Sequence, residues 1–307
     1  MTRALVTGGA GFLGRSLSER LVRDGYEVVV LDNLSSASPL GVAEGTEFIE
    51  GDVIDPPDIG GTFTHIYHFA SPASPPRYLK DPIGTMRTGA EGTLHMLERA
   101  ESDDAVITFA STSEIYGDPL EHPQRESYFG NVDITSPRAC YDEAKRYAEA
   151  LVHAFHRSGR HTKTRIVRVF NTYGPGMSPD DGRVVSNFLV QAINGQPMTI
   201  QGDGSQTRSF CYVDDLVEGI IRLSRSDVTL PVNLGNPNEI TMLELADRVA
   251  EIAGDPGRIF TELPQSDPKV RQPDISRAVD LLDWRPVVDL VDGLAETHQY
   301  FKQVLAG

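Results

Sequence analysis

Ala4-Leu5-Val6-Thr7-Gly8-Gly9-Ala10-Gly11-Phe12-Leu13-Gly14 is the stretch whose reading decides the fold. A short apolar run enters a glycine-rich turn, and Leu13, Leu17 and Leu21 then recur on one helical face. The order is therefore strand, glycine loop, helix. Glycines there let the backbone turn tightly and approach a pyrophosphate, whose charge rests at the helix N-terminus. Val28-Val29-Val30-Leu31 follows as a second strand and ends in Asp32. A carboxylate at that place bonds the ribose hydroxyls of an adenosine and repels a 2′-phosphate, which predicts NAD rather than NADP.

Working outward, Phe48 to Val53 reads as a third strand with Asp52 directed at the adenine, and His65 to Ala70 as a fourth that opens into the proline-stiffened loop Ser71 to Tyr78. Ala105 to Ala110 makes a fifth strand that delivers Ser111, Thr112, Ser113 and Glu114, and Arg165 to Phe170 makes a sixth. The alternation predicts an α/β protein, a Rossmann-type doubly wound parallel sheet with a smaller C-terminal α/β substrate lobe. Residues 1–173 and 214–235 are expected to form the NAD-binding part, and 174–213 with 236–307 the smaller substrate lobe. The stretch from Gly174 to Arg208 reads as loop-rich, Asp214 to Leu223 as helical and Val232 to Leu234 as a returning strand. Thr241 to Glu244 reads as a capping box. From Asp267 onward, loops and two amphipathic helices are expected, with Trp284 as a lobe-packing residue.

The formal charge of −16, from 44 acidic and 28 basic residues, opposes nucleic acid and anionic lipid as partners. No apolar run is long enough to span a membrane, and a strand beginning at residue 4 leaves no room for a signal peptide, so a cytoplasmic protein is expected. Cys140 and Cys211 have no metal-like spacing and fit a reducing compartment. His65 and His68 read as strand residues; His153 and His156 read as helix-surface residues, so no metal is expected.

The chemistry is carried by Cys140-Tyr141-Asp142-Glu143-Ala144-Lys145. Four residues apart on a helix, Tyr141 and Lys145 share a face, and a neighbouring ammonium is expected to bring the phenol toward the range of a general base. Such a base takes the proton from an alcohol while a hydride leaves the same carbon.

Longer strings extend this reading: Ser71 to Tyr78 (SPASPPRY), Ser111 to Pro119 (STSEIYGDP), Pro137 to Lys145 (PRACYDEAK), Asp181 to Phe188 (DGRVVSNF) and Gly204 to Phe210 (GSQTRSF). With them the chain resembles extended short-chain dehydrogenases/reductases that act on nucleotide sugars, and within these the UDP-glucuronate decarboxylases (UDP-xylose synthases). The resemblance implies NAD bound by Gly8, Gly11, Phe12, Leu13, Gly14, Asp32, Asn33, Asp52, Val53, Ala70, Tyr141 and Lys145. It implies Thr112, Glu114, Tyr141, Lys145 and Arg271 as catalytic residues, and Ser113, Asn171, Arg183, Val184, Asn187, Arg208 and Arg271 around the UDP-sugar. It also implies a homodimer through the Tyr141 helix and the helix near Thr93 to Ala100, for which Ala144, Ala148, Leu151 and Val152 offer an apolar stripe. Gly89 stands where relatives usually carry Asn, a departure expected to loosen that helix.

The implied reaction is oxidation at C4 of the sugar, loss of the C5 carboxylate as CO₂ from the β-keto acid, and return of the hydride. A 4,6-dehydratase places an acid beside its catalytic Glu, where this chain has Ser113. The remaining rivals are a UDP-glucuronate 4-epimerase and, in a different class, a non-catalytic NAD or nucleotide-sugar sensor.

Overall fold

The computed structural model describes residues 2–262 and 270–306, so Asp267 to Lys269 of the last stretch lie outside the described residues. In chain order the elements are β1 (Arg3–Thr7), α1 (Phe12–Arg23), β2 (Glu27–Asp32), β3 (Thr46–Glu50), β4 (His65–His68), α2 (Pro75–Tyr78), α3 (Pro82–Arg87), α4 (Thr93–Asp103), β5 (Val106–Thr112) and α5 (Ala139–Arg157). They continue as β6 (Thr164–Val169), β7 (Thr172–Tyr173), α6 (Val184–Ile193), β8 (Met198–Gln201), β9 (Thr207–Ser209), β10 (Cys211–Tyr212), α7 (Val213–Arg225), β11 (Val232–Leu234), β12 (Glu239–Thr241), α8 (Met242–Ala253), β13 (Arg258–Thr261), α9 (Ser276–Leu282) and α10 (Leu290–Ala306).

Seven strands pair in the order β11-β6-β5-β4-β1-β2-β3, every pair parallel. The order reverses between β1 and β4, so the glycine loop and the loop after β4 flank the crevice where such sheets bind ligands. Leu17 and Leu21 of α1 and Leu216 and Ile220 of α7 cover one face of the sheet. Met96 and Leu97 of α4 and Val152 and Phe155 of α5 cover the other. With both faces buried, β1 and β2 can be nearly continuous runs of apolar residues.

Strand ends differ from the sequence reading for local reasons. β3 stops at Glu50 because Asp52 folds back to accept the Ile54 amide at 2.9 Å, which turns the chain. β4 stops at His68, and β5 runs on to Thr112 because Ser111 and Thr112 still pair with Arg168 and Val169. The segment read as loop-rich contains α6, whose Val185, Phe188, Leu189 and Ala192 are buried at helical spacing, and β8 and β9, which pair with β13 and β12. The capping box is formed at α8: Thr241 accepts the Glu244 amide at 3.1 Å and Glu244 accepts the Thr241 amide at 2.7 Å. Trp284 is buried against α7, its indole N–H donating to the Asp215 carbonyl at 2.8 Å.

The apolar stripe expected at a dimer contact is largely consumed inside the chain. Ala144, Ala148 and Val152 are buried, the last two in the core under the sheet. Gly89 lies in a π-helical turn, Thr88–Gly92, between α3 and α4. A Cβ at Gly89 would stand 2.8 Å from that of Ala144, so the glycine permits close packing on α5 rather than loosening the helix. His153 and His156 are half-buried, not fully on the surface.

Candidate active site

Tyr141 and Lys145 lie in the first two turns of α5, which faces the carboxyl end of β5. The Lys145 ammonium donates to the Ala110 carbonyl at 2.8 Å and stands 5.8 Å from the centroid of the Tyr141 ring. Burial pushes Lys145 down to about 7. Burial also pushes the Tyr141 phenol up, against a hydrogen bond with Thr112 that favours its anion. Burial thus opposes the expected lowering of the phenol, and the hydrogen bond with Thr112 is the influence that favours its anion. Tyr78, from the proline-stiffened loop, stacks on Tyr141 with centroids 5.1 Å apart and planes 7° from parallel. Its buried hydroxyl has no hydrogen-bond partner among the described residues.

Thr112 ends β5 and its side chain accepts the Glu114 amide at 3.2 Å, which turns the chain and sends Glu114 into the site. The Glu114 carboxylate accepts from Arg138 at 2.6 Å and pairs with Arg271 at 2.5 Å. Burial opposes its charge, yet Arg271 and Arg138 win and hold it at about 2. Arg271 is almost wholly buried and also donates to the Ser113 hydroxyl at 3.3 Å and the Gly117 carbonyl at 3.1 Å. Asp142, next to Tyr141 in sequence, is buried with one oxygen unpartnered; burial and the nearby Glu114 push it up to about 7.

At the other end, Asp32 closes β2 and accepts the Ala10 amide at 3.0 Å and the Leu34 amide at 2.7 Å. Asn33 donates to Asp52 at 2.7 Å, which ties the ends of β2 and β3. Gly8 has φ +72° and its missing Cβ would meet the backbone of Ala70 at 2.7 Å. A Cβ at Gly14 would run into the Gly8 carbonyl. These glycines form a cradle that side chains would fill, with α1 directing its N-terminus into it, which suits the diphosphate of a dinucleotide. Arg183 precedes α6 and is paired with Asp181, while Asn187 donates to the Gly182 carbonyl at 3.0 Å.

One cavity of about 680 Å³ joins the two ends. Every residue named from the sequence for cofactor, catalysis and substrate borders it, including Val53, Ala70, Asn171, Val184 and Arg208. Arg138 and Tyr78 also line it and were not singled out. The signal for Arg138 was its place three residues before Tyr141, one helical turn away; Tyr78 closes the quoted loop string. Among the described residues, no three His, Cys, Asp or Glu side chains come together as a metal site.

Residues 4–235 match the model of the NAD dependent epimerase/dehydratase family. The chain is 47% identical over 309 residues to UDP-glucuronic acid decarboxylase 1 of Xenopus tropicalis, covering 99% of this chain and 73% of that protein. It is 49% identical over 299 residues to UDP-glucuronic acid decarboxylase 1 of Arabidopsis thaliana, covering 95% and 68%. Among solved structures, UDP-glucose 4-epimerase of Thermotoga maritima with UDP-glucose superposes with a TM-score of 0.90 at 28% identity, over 99% of this chain and 100% of that one. UDP-glucuronic acid 4-epimerase of Bacillus cereus, in complex with UDP-glucuronic acid and NAD, superposes with a TM-score of 0.85 at 27% identity, over 99% and 100%.

Proposed function

The chain belongs to the NAD dependent epimerase/dehydratase family, and on that premise we propose that it decarboxylates UDP-glucuronate to UDP-xylose through a 4-keto sugar. The observation that carries the reading is the meeting of Tyr141, Thr112 and the Arg271–Glu114–Arg138 cluster at one end of the cavity, with the glycine cradle at the other. The curated relatives at 47–49% identity are UDP-glucuronic acid decarboxylases, which agrees with it.

Gly8, Gly11, Gly14 and the α1 N-terminus hold the NAD diphosphate, Asp32 and Asn33 the ribose side, and Asp52 and Val53 the adenine side. Bound NAD⁺ supplies the acceptor for the C4 hydride and, once reduced, its donor. Tyr141 takes the 4-hydroxyl proton as a phenolate, a form that burial opposes and the hydrogen bond with Thr112 favours, and Thr112 shares the hydrogen bond to the sugar oxygen. The C5–carboxylate bond then breaks; its electron pair passes to the 4-ketone, and Thr112 and Tyr141 stabilise the enolate oxygen. A proton is delivered to C5, with the ionised Glu114 ordering the water that brings it. Arg271 holds the carboxylate end of the sugar and keeps Glu114 from excluding an anionic substrate. Asn171, Arg183, Val184, Asn187 and Arg208 hold the UDP part, and Ser113 borders the sugar.

The parts divide the labour: residues 1–173 and 214–235 hold the cofactor, and 174–213 with 236–307 hold the nucleotide sugar. A homodimer forms through α5 and the segment from α3 to α4, using exposed Ile83, Met86 and Tyr147 rather than the buried stripe. The protein works in the cytoplasm, consistent with two buried free thiols. No helix among the described residues is long and apolar enough to cross a membrane.

The test is to incubate the protein with NAD⁺ and UDP-glucuronate and identify the nucleotide sugar formed. UDP-xylose is expected. UDP-galacturonate would establish the epimerase, a reading favoured by the superposition on the Bacillus cereus enzyme; binding without any product would establish a sensor.

A further inference from the structure

Arg271 lies on an irregular segment, yet its guanidinium is among the most tightly held groups of the site. Something must set the register of that segment. The chain after β5 passes beneath it at Gln124, a wholly buried residue that does not border the cavity. Gln124 makes three hydrogen bonds to the segment, two to Gln272 and one to Asp274. Its amide donates to the Gln272 carbonyl at 2.8 Å, its side-chain oxygen accepts the Gln272 amide at 2.9 Å, and its carbonyl accepts the Asp274 amide at 2.8 Å. The side-chain NH₂ is spent elsewhere, on the Glu121 carbonyl at 2.9 Å. Asn233 of β11 ties the two strands together from below, donating to the carbonyls of Gln124 at 3.0 Å and Asp274 at 3.1 Å. A short parallel bridge between Gln124 and Pro273 results.

We propose that Gln124 is a positioning residue for Arg271, acting through the peptide that joins Arg271 to Gln272. The two backbone bonds would hold any residue at 124 beside the segment. The side-chain oxygen holds the N–H of the Arg271–Gln272 peptide at 2.9 Å, while the carbonyl of that peptide accepts only a longer bond from the Ser209 hydroxyl at 3.4 Å. Rotation of this peptide would swing the Arg271 side chain off Glu114, Ser113 and the Gly117 carbonyl together. The inference rests on the function proposed above only in taking Arg271 to act on the sugar.

The experiment compares Gln124→Leu, which keeps volume and loses the acceptor, with Gln124→Glu, which keeps it, in the full chain loaded with NAD⁺. Rates of UDP-glucuronate turnover are measured alone and in an Arg271→Lys background, with thermal midpoints and NAD⁺ affinity as controls. Gln124→Leu is expected to lower kcat by about 100-fold, the size of loss that a small misplacement near the chemistry causes, with unchanged NAD⁺ affinity. Gln124→Glu should retain clearly more of the parent kcat than Gln124→Leu, since it keeps the acceptor for the Gln272 amide and, protonated in this buried place, a donor for the Glu121 carbonyl. In the Arg271→Lys background Gln124→Leu should cost almost nothing further, because coupled residues are not additive. Parent-like kcat in Gln124→Leu overturns the proposal, as does a full loss repeated on top of Arg271→Lys. Should Gln124→Leu fail to fold, Gln124→Asn, which withdraws the oxygen by one methylene, is scored in the same cycle. If the parent makes UDP-galacturonate instead of CO₂, the proposed function fails, and the cycle run on that product still decides whether Gln124 acts through Arg271.

Discussion

At Tyr141 burial and hydrogen bonding oppose each other: desolvation raises the phenol, and Thr112 favours its anion. Deleting the hydroxyl leaves the ring, its stack on Tyr78 and the Lys145 bond to Ala110 in place. Tyr141→Phe is therefore expected to bind NAD⁺ as the parent does and to lose at least about 100-fold in turnover, the scale of a general-base contribution. Rapid NADH formation on adding substrate, seen by absorbance, would contradict the assignment. Glu114 offers a second test through pH. Its folded value of about 2 lies below its ordinary 4.5, so its stabilising contribution is complete above 4.5 and is lost as pH falls toward 2. Glu114→Gln should be less stable than the parent by about 2 kcal/mol at neutral pH, the scale of a hydrogen bond to a charged group. The difference should shrink through that acid window; a gap in denaturant midpoint that stays constant from pH 6 to pH 3 would count against the ion-pair account.

Among the elements, the loop joining β1 to α1 is the most exacting, because Gly14 packs against the Gly8 carbonyl with no room for a methyl group. Gly14→Ala should weaken NAD⁺ binding by at least about 10-fold by forcing loop and helix apart, which a fluorescence titration would measure; unchanged affinity would mean the cradle is not used. β1 and β2 were readable because each is a short apolar run closed by a polar residue, at Thr7 and Asp32, and the core of β5 because its apolar run ends at Ala110 before Ser111. α6 was not, since the prolines and glycines on both sides of Val184–Ile193 mask its periodicity. The two ends of the cavity were legible through residues that sit in recognisable strings. Gln124 was not, because its meaning lies in bonds to residues 272 and 274, and no local pattern reports a contact that distant in sequence.

At the scale of the whole molecule, a chain of formal charge −16 gathers Arg138, Arg183, Arg208 and Arg271 around one cavity. A net acidic chain with these basic groups at its cavity suits an anionic small molecule and disfavours polyanionic partners. The exposed Ile83, Met86 and Tyr147 on α3 and α5 carry the expectation of a dimer. Light scattering at micromolar concentration should give twice the mass of 33.6 kDa; a monomer would remove the dimer from the account without touching the chemistry. The chemistry itself is tested most directly with UDP-glucuronate labelled in its carboxyl carbon. Mixed with a small amount of protein and NAD⁺, it should release labelled CO₂ equal to the substrate consumed, over many turnovers and with no net NADH. Consumption of substrate with the label retained in the sugar would contradict the account.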